Sequence, residues 1–216
     1  MRMTKLADKF KNIILSKDLE KTNDEIASTI VDVGESALDV FQEETYKEIP
    51  ILKYIMLVPK TVHGVQDRLM AKKILVFATA LTTASLEQRT KFIEELSSDK
   101  REKIFEKIYM TLQAATDVDR AQIVGQLFEA YIRGVLNETQ FNSAMHAANM
   151  IDLETIDDLH AYYAGNDNIP GEKLDYFAGL RLVNTKTEIA ARFNSTNLEY
   201  ERNTLGNLFC VYSQLD

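Results

Sequence analysis

Phe177-Ala-Gly-Leu-Arg-Leu-Val183 and Leu198-Glu-Tyr-Glu-Arg-Asn-Thr-Leu-Gly-Asn-Leu-Phe209 are the two stretches on which the fold turns. Upstream of the first, Leu153 to Ala164 reads as a helix, Gly165 to Pro170 as a turn, and Glu172 to Ala178 as a second helix. Gly179 to Val183 reads as a strand. Ile189, Ala191 and Phe193 alternate with polar residues, as a strand with one buried face requires. Asn194 to Asn197 is a cluster of turn formers, and Leu198 and Tyr200 open a returning strand. Asn203 or Thr204 then caps a last helix whose apolar side carries Leu205, Leu208, Phe209 and Tyr212.

The order helix, turn, helix, hairpin, helix is that of a winged helix. The two quoted stretches resemble the end of many winged-helix proteins, where a helix runs into a Gly-Leu…Val stretch and the wing returns into a Thr…Leu-Gly stretch. The resemblance covers roughly the last third of the chain. It implies a small winged-helix-like α+β domain over residues 151–216. The fold class expected for the whole is mainly α, with a helical array over residues 1–150 preceding that domain.

The array is read from caps and periodicity. Thr22-Asn-Asp-Glu25 and Ser85-Leu-Glu-Gln88 fit the capping box, in which two side chains satisfy each other's backbone donors. Ile26, Ile30, Val33, Ala37, Val40 and Phe41 follow the first at helical spacing. Pro50 suits a first helical position, whereas Pro59 must break or kink the helix that contains it. A helix is expected from Thr61 to Thr83, another after Ser85, and a third starting between Asp99 and Glu102. Thr116 or Asp117 should cap the next one, and Gly134 should stop it in a left-handed conformation. Asn137 should cap a helix through Phe141, Met145 and Ala148.

Composition narrows the class. The 216 residues carry 25 Lys+Arg against 33 Asp+Glu, for a formal net charge of −8, and 45% are hydrophobic. Those are values of a globular chain with a sizeable core. A single cysteine, Cys210, excludes an internal disulfide framework and points to a reducing, cytoplasmic setting. The N-terminal segment is interrupted by Asp8, Lys9 and Lys11, unlike a secretory signal. The weakly polar run from Ile74 to Ala84 falls well short of the ~20 residues of a membrane-spanning helix.

Catalytic constellations are poorly represented. The three histidines, His63, His146 and His160, sit in no nucleophile elbow or zinc motif, and Cys210 falls in the apolar stripe of the last helix. Asp157 and His160 can share one side of a helix, which most simply makes a solvated acidic face. The rhythm around Gly134 resembles an EF-hand, but Glu129, Tyr131 and Arg133 cannot form a calcium cage. No phosphate-binding glycine loop is present. The expectation is therefore a non-enzyme with no metal or cofactor.

The charge is unevenly spread. Residues 50–86 hold Lys53, Lys60, Arg68, Lys72 and Lys73 against Asp67 alone, a net of +4 in the most apolar part of the chain. Two readings follow. The stretch is a core hairpin with snorkelling basic side chains, its ion pairs tying it to the array, or it is a docking surface for an anionic partner. Under the second reading those five basic residues are the candidate partner-binding residues. By contrast, residues 151–175 carry seven acids against Lys173, a net of −6. Glu172 and Asp175 lie on the helix that would enter a DNA groove, so that helix would repel phosphate. Lys186, Arg192 and Arg202 give the wing a modest basic rim.

The segment from Glu48 to Phe77, with Lys91 to Leu96 and Leu127 to Phe141, resembles a set of uncharacterised bacterial proteins that join a helical array to a winged-helix-like tail. Pro50, Lys60, Asp67, Arg68, Lys72 and Lys73 carry the match. The resemblance implies no activity, and a setting in mobile elements or phage defence. The function expected is a non-catalytic interaction or regulatory module acting through protein contacts, including contact with a second copy of the chain. The alternatives are a peripheral protein that docks residues 50–86 on an anionic membrane surface, and a winged-helix regulator that binds nucleic acid.

Overall fold

The structure, a computed structural model, describes residue 15 and residues 65–81, 83–190 and 195–215. The expected capping box at Thr22 to Glu25, the helix after it and the segments around Pro50 and Pro59 lie outside the described residues. Among the described residues the chain is mainly helical, with eight α-helices and one two-stranded antiparallel sheet. None of these helices is long and apolar enough to cross a membrane.

Two compact units divide between Val135 and Leu136. The first contains α1 (Val65–Thr79), α2 (Leu86–Glu95), α3 (Ser98–Ala114) and α4 (Asp119–Ile132). Local chemistry sets each start. Ser85 Oγ accepts from the Gln88 N–H at 3.2 Å while Gln88 Oε1 accepts from the Ser85 N–H at 2.9 Å, a complete capping box for α2. Ser97 Oγ accepts from the Lys100 N–H, so α3 starts at Ser98, just before the expected Asp99. Asp117 Oδ1 accepts from the Arg120 N–H at 2.8 Å and serves the first turn of α4.

α1 packs along α4, α3 closes on both, and α2 packs on α4. Gly125 permits the approach, because a Cβ there would stand 2.6 Å from the Ala80 Cβ. Phe128 is the hub of the core, with Phe77, Phe92 and Phe105 at ring-centroid distances of 5.9, 5.7 and 6.5 Å. Edge-to-face and offset pairs of this kind add stabilisation beyond area burial.

The second unit contains α5 (Glu138–Met150), a 3₁₀ turn (Leu153–Thr155), α6 (Ile156–Tyr163), α7 (Gly171–Gly179), β1 (Val183–Ala190), β2 (Ser195–Arg202) and α8 (Thr204–Val211). Asn137 and Gln140 form a second capping box, which opens α5. That helix, read from the sequence as the end of the array, groups with the C-terminal unit. Asn203 caps α8, its Oδ1 accepting from the Gly206 N–H at 2.7 Å.

The strands pair from Val183 opposite Arg202 to Ala190 opposite Ser195. Two expectations are corrected here. Gly179 to Leu182 is no strand: it ends α7 and turns, and β1 begins at Val183. Ser195 to Asn197, expected in a turn, belongs to β2.

α8 packs on α5 and α6, and α7 packs on β1. The core of this unit is built from Phe141, Met145, Leu159, Phe177, Leu182 and Phe209. Tyr163 joins three elements: its hydroxyl donates to the Leu182 carbonyl and accepts from the Asn203 N–H at 2.9 Å. Burial pushes the Tyr163 phenol up to about 12, so it stays a neutral donor at any physiological pH.

Candidate functional site

The five basic residues singled out by charge are placed very differently. Lys53 and Lys60 lie outside the described residues. Arg68 falls in the first turns of α1. Lys72 is half-buried on the same helix.

Lys73 is only 4% exposed and points inward. Its Nζ donates to the Leu112 carbonyl at 3.0 Å and to the Ala115 carbonyl, where α3 ends. A helix C-terminus presents unsatisfied carbonyls and a partial negative charge, which a lysine ammonium complements. Burial pushes the Lys73 ammonium below its ordinary pKa, and Asp117 works against that shift. Lys73 therefore ties α1 to α3. Its ammonium is engaged with those carbonyls and buried, unlike the exposed cation that a docking surface would present.

The second unit gathers exposed charge around α7 and the hairpin. Glu172 and Asp175 are exposed on α7, and Asp175 accepts from the Tyr200 hydroxyl at 2.8 Å. That hydrogen bond raises the Tyr200 pKa. The basic side chains close to them are mostly consumed at home. Lys173 pairs with Asp158 across the link between α6 and α7. Lys186 pairs with Glu201 across the hairpin. Arg202 donates through Nε to the Tyr162 carbonyl at 2.7 Å, pairs with Asp167, and stacks over the Tyr162 ring at 4.4 Å. Arg192 lies outside the described residues. The basic rim expected on the hairpin, as far as it is described, is thus neutralised by carboxylates of its own unit.

His160, Ser213 and Asp157 superficially suggest a catalytic triad. His160 Nε2 and Ser213 Oγ stand 3.0 Å apart, and Asp157 is near enough to raise the His160 pKa against the lowering by burial. A nucleophile must meet its substrate, however, and Ser213 is 0% exposed. The pair instead fastens the end of the chain to α6. Cys210 is buried as expected, and burial pushes its thiol up to about 12, far from the thiolate that chemistry would need. Among the described residues no three His, Cys, Asp or Glu side chains come together as a metal ion would require.

Sequence reasoning missed Arg181. It sits with φ 63, between α7 and β1, and helps line an open groove of about 490 Å³. No motif marks it. No sequence signal could have found it, because Leu180 to Val183 alternates as a strand does and hides the cap.

No family model matches the chain, and no curated protein or solved structure matches it.

Proposed function

We propose that the chain is a non-catalytic, cytoplasmic interaction or regulatory module acting through protein contacts, and that its C-terminal unit is a winged-helix-like domain used for that purpose. The element order that follows α5 supports the winged-helix reading: a helix, a turn, a second helix, an antiparallel hairpin and a closing helix. One observation carries the functional reading. The helix in the position of a DNA-recognition helix exposes Glu172 and Asp175, while Lys173, Lys186 and Arg202 are paired with Asp158, Glu201 and Asp167. DNA affinity rests on cations free to displace counterions from phosphate, and each cation already holding a carboxylate is lost to that purpose. Protein surfaces, in contrast, are recognised through mixed charge with local complementarity.

A mobility-shift assay with fragmented genomic DNA at low salt tests the exclusion of DNA. No shift is expected up to micromolar protein. A salt-sensitive shift at nanomolar protein would overturn the reading in favour of a nucleic-acid regulator.

A further inference from the structure

Three helices among the described residues end in one capping motif. In each, the residue after the cap adopts a left-handed conformation and two N–H groups turn back onto the last helical turn. In α4 the Gly134 N–H meets the Tyr131 carbonyl and the Val135 N–H meets that of Ala130. In α6 the pairs are Gly165 to Tyr162 and Asn166 to Ala161. In α7 they are Arg181 to Ala178 and Leu182 to Phe177. The left-handed residue has φ 73 at Gly134, φ 102 at Gly165 and φ 63 at Arg181. Glycine reaches this region without steric penalty and arginine does not. The same motif thus takes glycine twice and, at α7, a residue that strains it.

The Arg181 side chain is exposed, and no described residue pairs with its guanidinium or accepts from it. This is unusual for its surroundings. Residues 136–216 hold twelve acids against five bases, and Lys173, Lys186 and Arg202 each hold a carboxylate. The groove at Arg181 is also lined by Ala178, Asn184, Thr185, Lys186 and Glu201. Its one carboxylate, Glu201, is taken by Lys186. The Asn184 carboxamide oxygen accepts from Asn203 Nδ2 at 3.1 Å, which leaves its NH₂ as the end that can donate. A guanidinium and an amide NH₂ make a pair of donors, and a guanidinium fork matches the two oxygens of a carboxylate or phosphate.

We propose that this groove binds a single oxyanion, a carboxylate or phosphate borne by a small polar molecule, with Arg181 as its anchoring cation. The strained cap is kept because the cation is needed there. A polyanion does not fit the same surface, since the unit's net charge of −7 opposes it. The proposal stands apart from the protein-contact reading and survives its failure.

The test is a titration of the full chain with sodium phosphate and with sodium acetate, followed by amide NMR, with sodium chloride at matched ionic strength as control. Saturable shifts confined to residues 181–186 are expected with at least one probe, and the tighter probe assigns the ligand to the phosphate or the carboxylate class. Arg181→Gly should weaken the apparent affinity tenfold or more while raising Tm, because it relaxes the cap. Arg181→Gln should weaken binding equally without the gain in Tm. Shifts no different from those with chloride, binding undiminished in Arg181→Gly, or a lowered Tm in that variant would each overturn the proposal.

Discussion

Lys72 and Lys73 are adjacent and identical, yet one is half-buried and the other reaches the carbonyls of Leu112 and Ala115. Successive residues on a helix differ in direction by roughly 100°, so neighbours of the same type face different surroundings. Lys73→Met would keep the hydrocarbon stem and leave the two carbonyls without their donor. The expected loss is about 2 kcal/mol, typical of a buried charge-assisted hydrogen bond, read from urea unfolding. Unchanged stability would show that the ammonium is not anchored as described. A charge count over residues 50–86 could not separate these lysines, because charge is counted along the chain and burial depends on the opposing helix. Arg181 was hidden for a similar reason. Leu180-Arg-Leu-Val183 alternates as a strand does, and only the turned-back hydrogen bonds reveal the cap that takes Gly179 to Leu182 out of the sheet.

At the scale of elements, caps were the most legible feature, because a cap is settled within four residues. Ser85, Asn137 and Asn203 each accept from the backbone three residues on; the first two were readable from residue type and spacing, and the third was narrowed to Asn203 or Thr204. Gly134 stops α4 with φ 73, also as expected. Strand ends were less legible, since the pairing of Val183 with Arg202 depends on a partner nineteen residues away.

The tie between α6 and the end of the chain was not legible at all. It joins His160 to Ser213 over 53 positions. This tie has a pH consequence. Burial lowers the His160 pKa from its ordinary 6.5, with Asp157 opposing, so the folded chain resists a proton that the unfolded chain accepts. Stability contributed here is fully present above pH 6.5 and is lost as pH falls below it. In thermal unfolding between pH 7 and pH 5, His160→Gln should show a shallower acid-side decline in Tm than the wild type. An identical slope in both would place the acid sensitivity elsewhere.

For the whole molecule, charge distribution is the property on which the proposed function rests. The net charge of −8 combines a basic stretch at residues 50–86 with a C-terminal unit of net −7. In that unit the described cations, apart from Arg181, are paired internally. What remains outward on α7 is acidic, and the proposed protein-contact role rests on a surface of that kind favouring basic protein surfaces over nucleic acid. The sign of that surface was legible from composition. Which cations were left free required the fold, because Arg202 meets Asp167 and Lys186 meets Glu201 only once the hairpin is closed.

The most direct measurement is affinity capture of the tagged chain from its native host at low salt, with nuclease, run beside the Glu172→Lys variant and read by mass spectrometry. The protein-contact account predicts a stoichiometric partner that survives nuclease and is lost or sharply depleted with the variant. Recovery of nucleic acid alone, or a partner retained undiminished by Glu172→Lys, would contradict it.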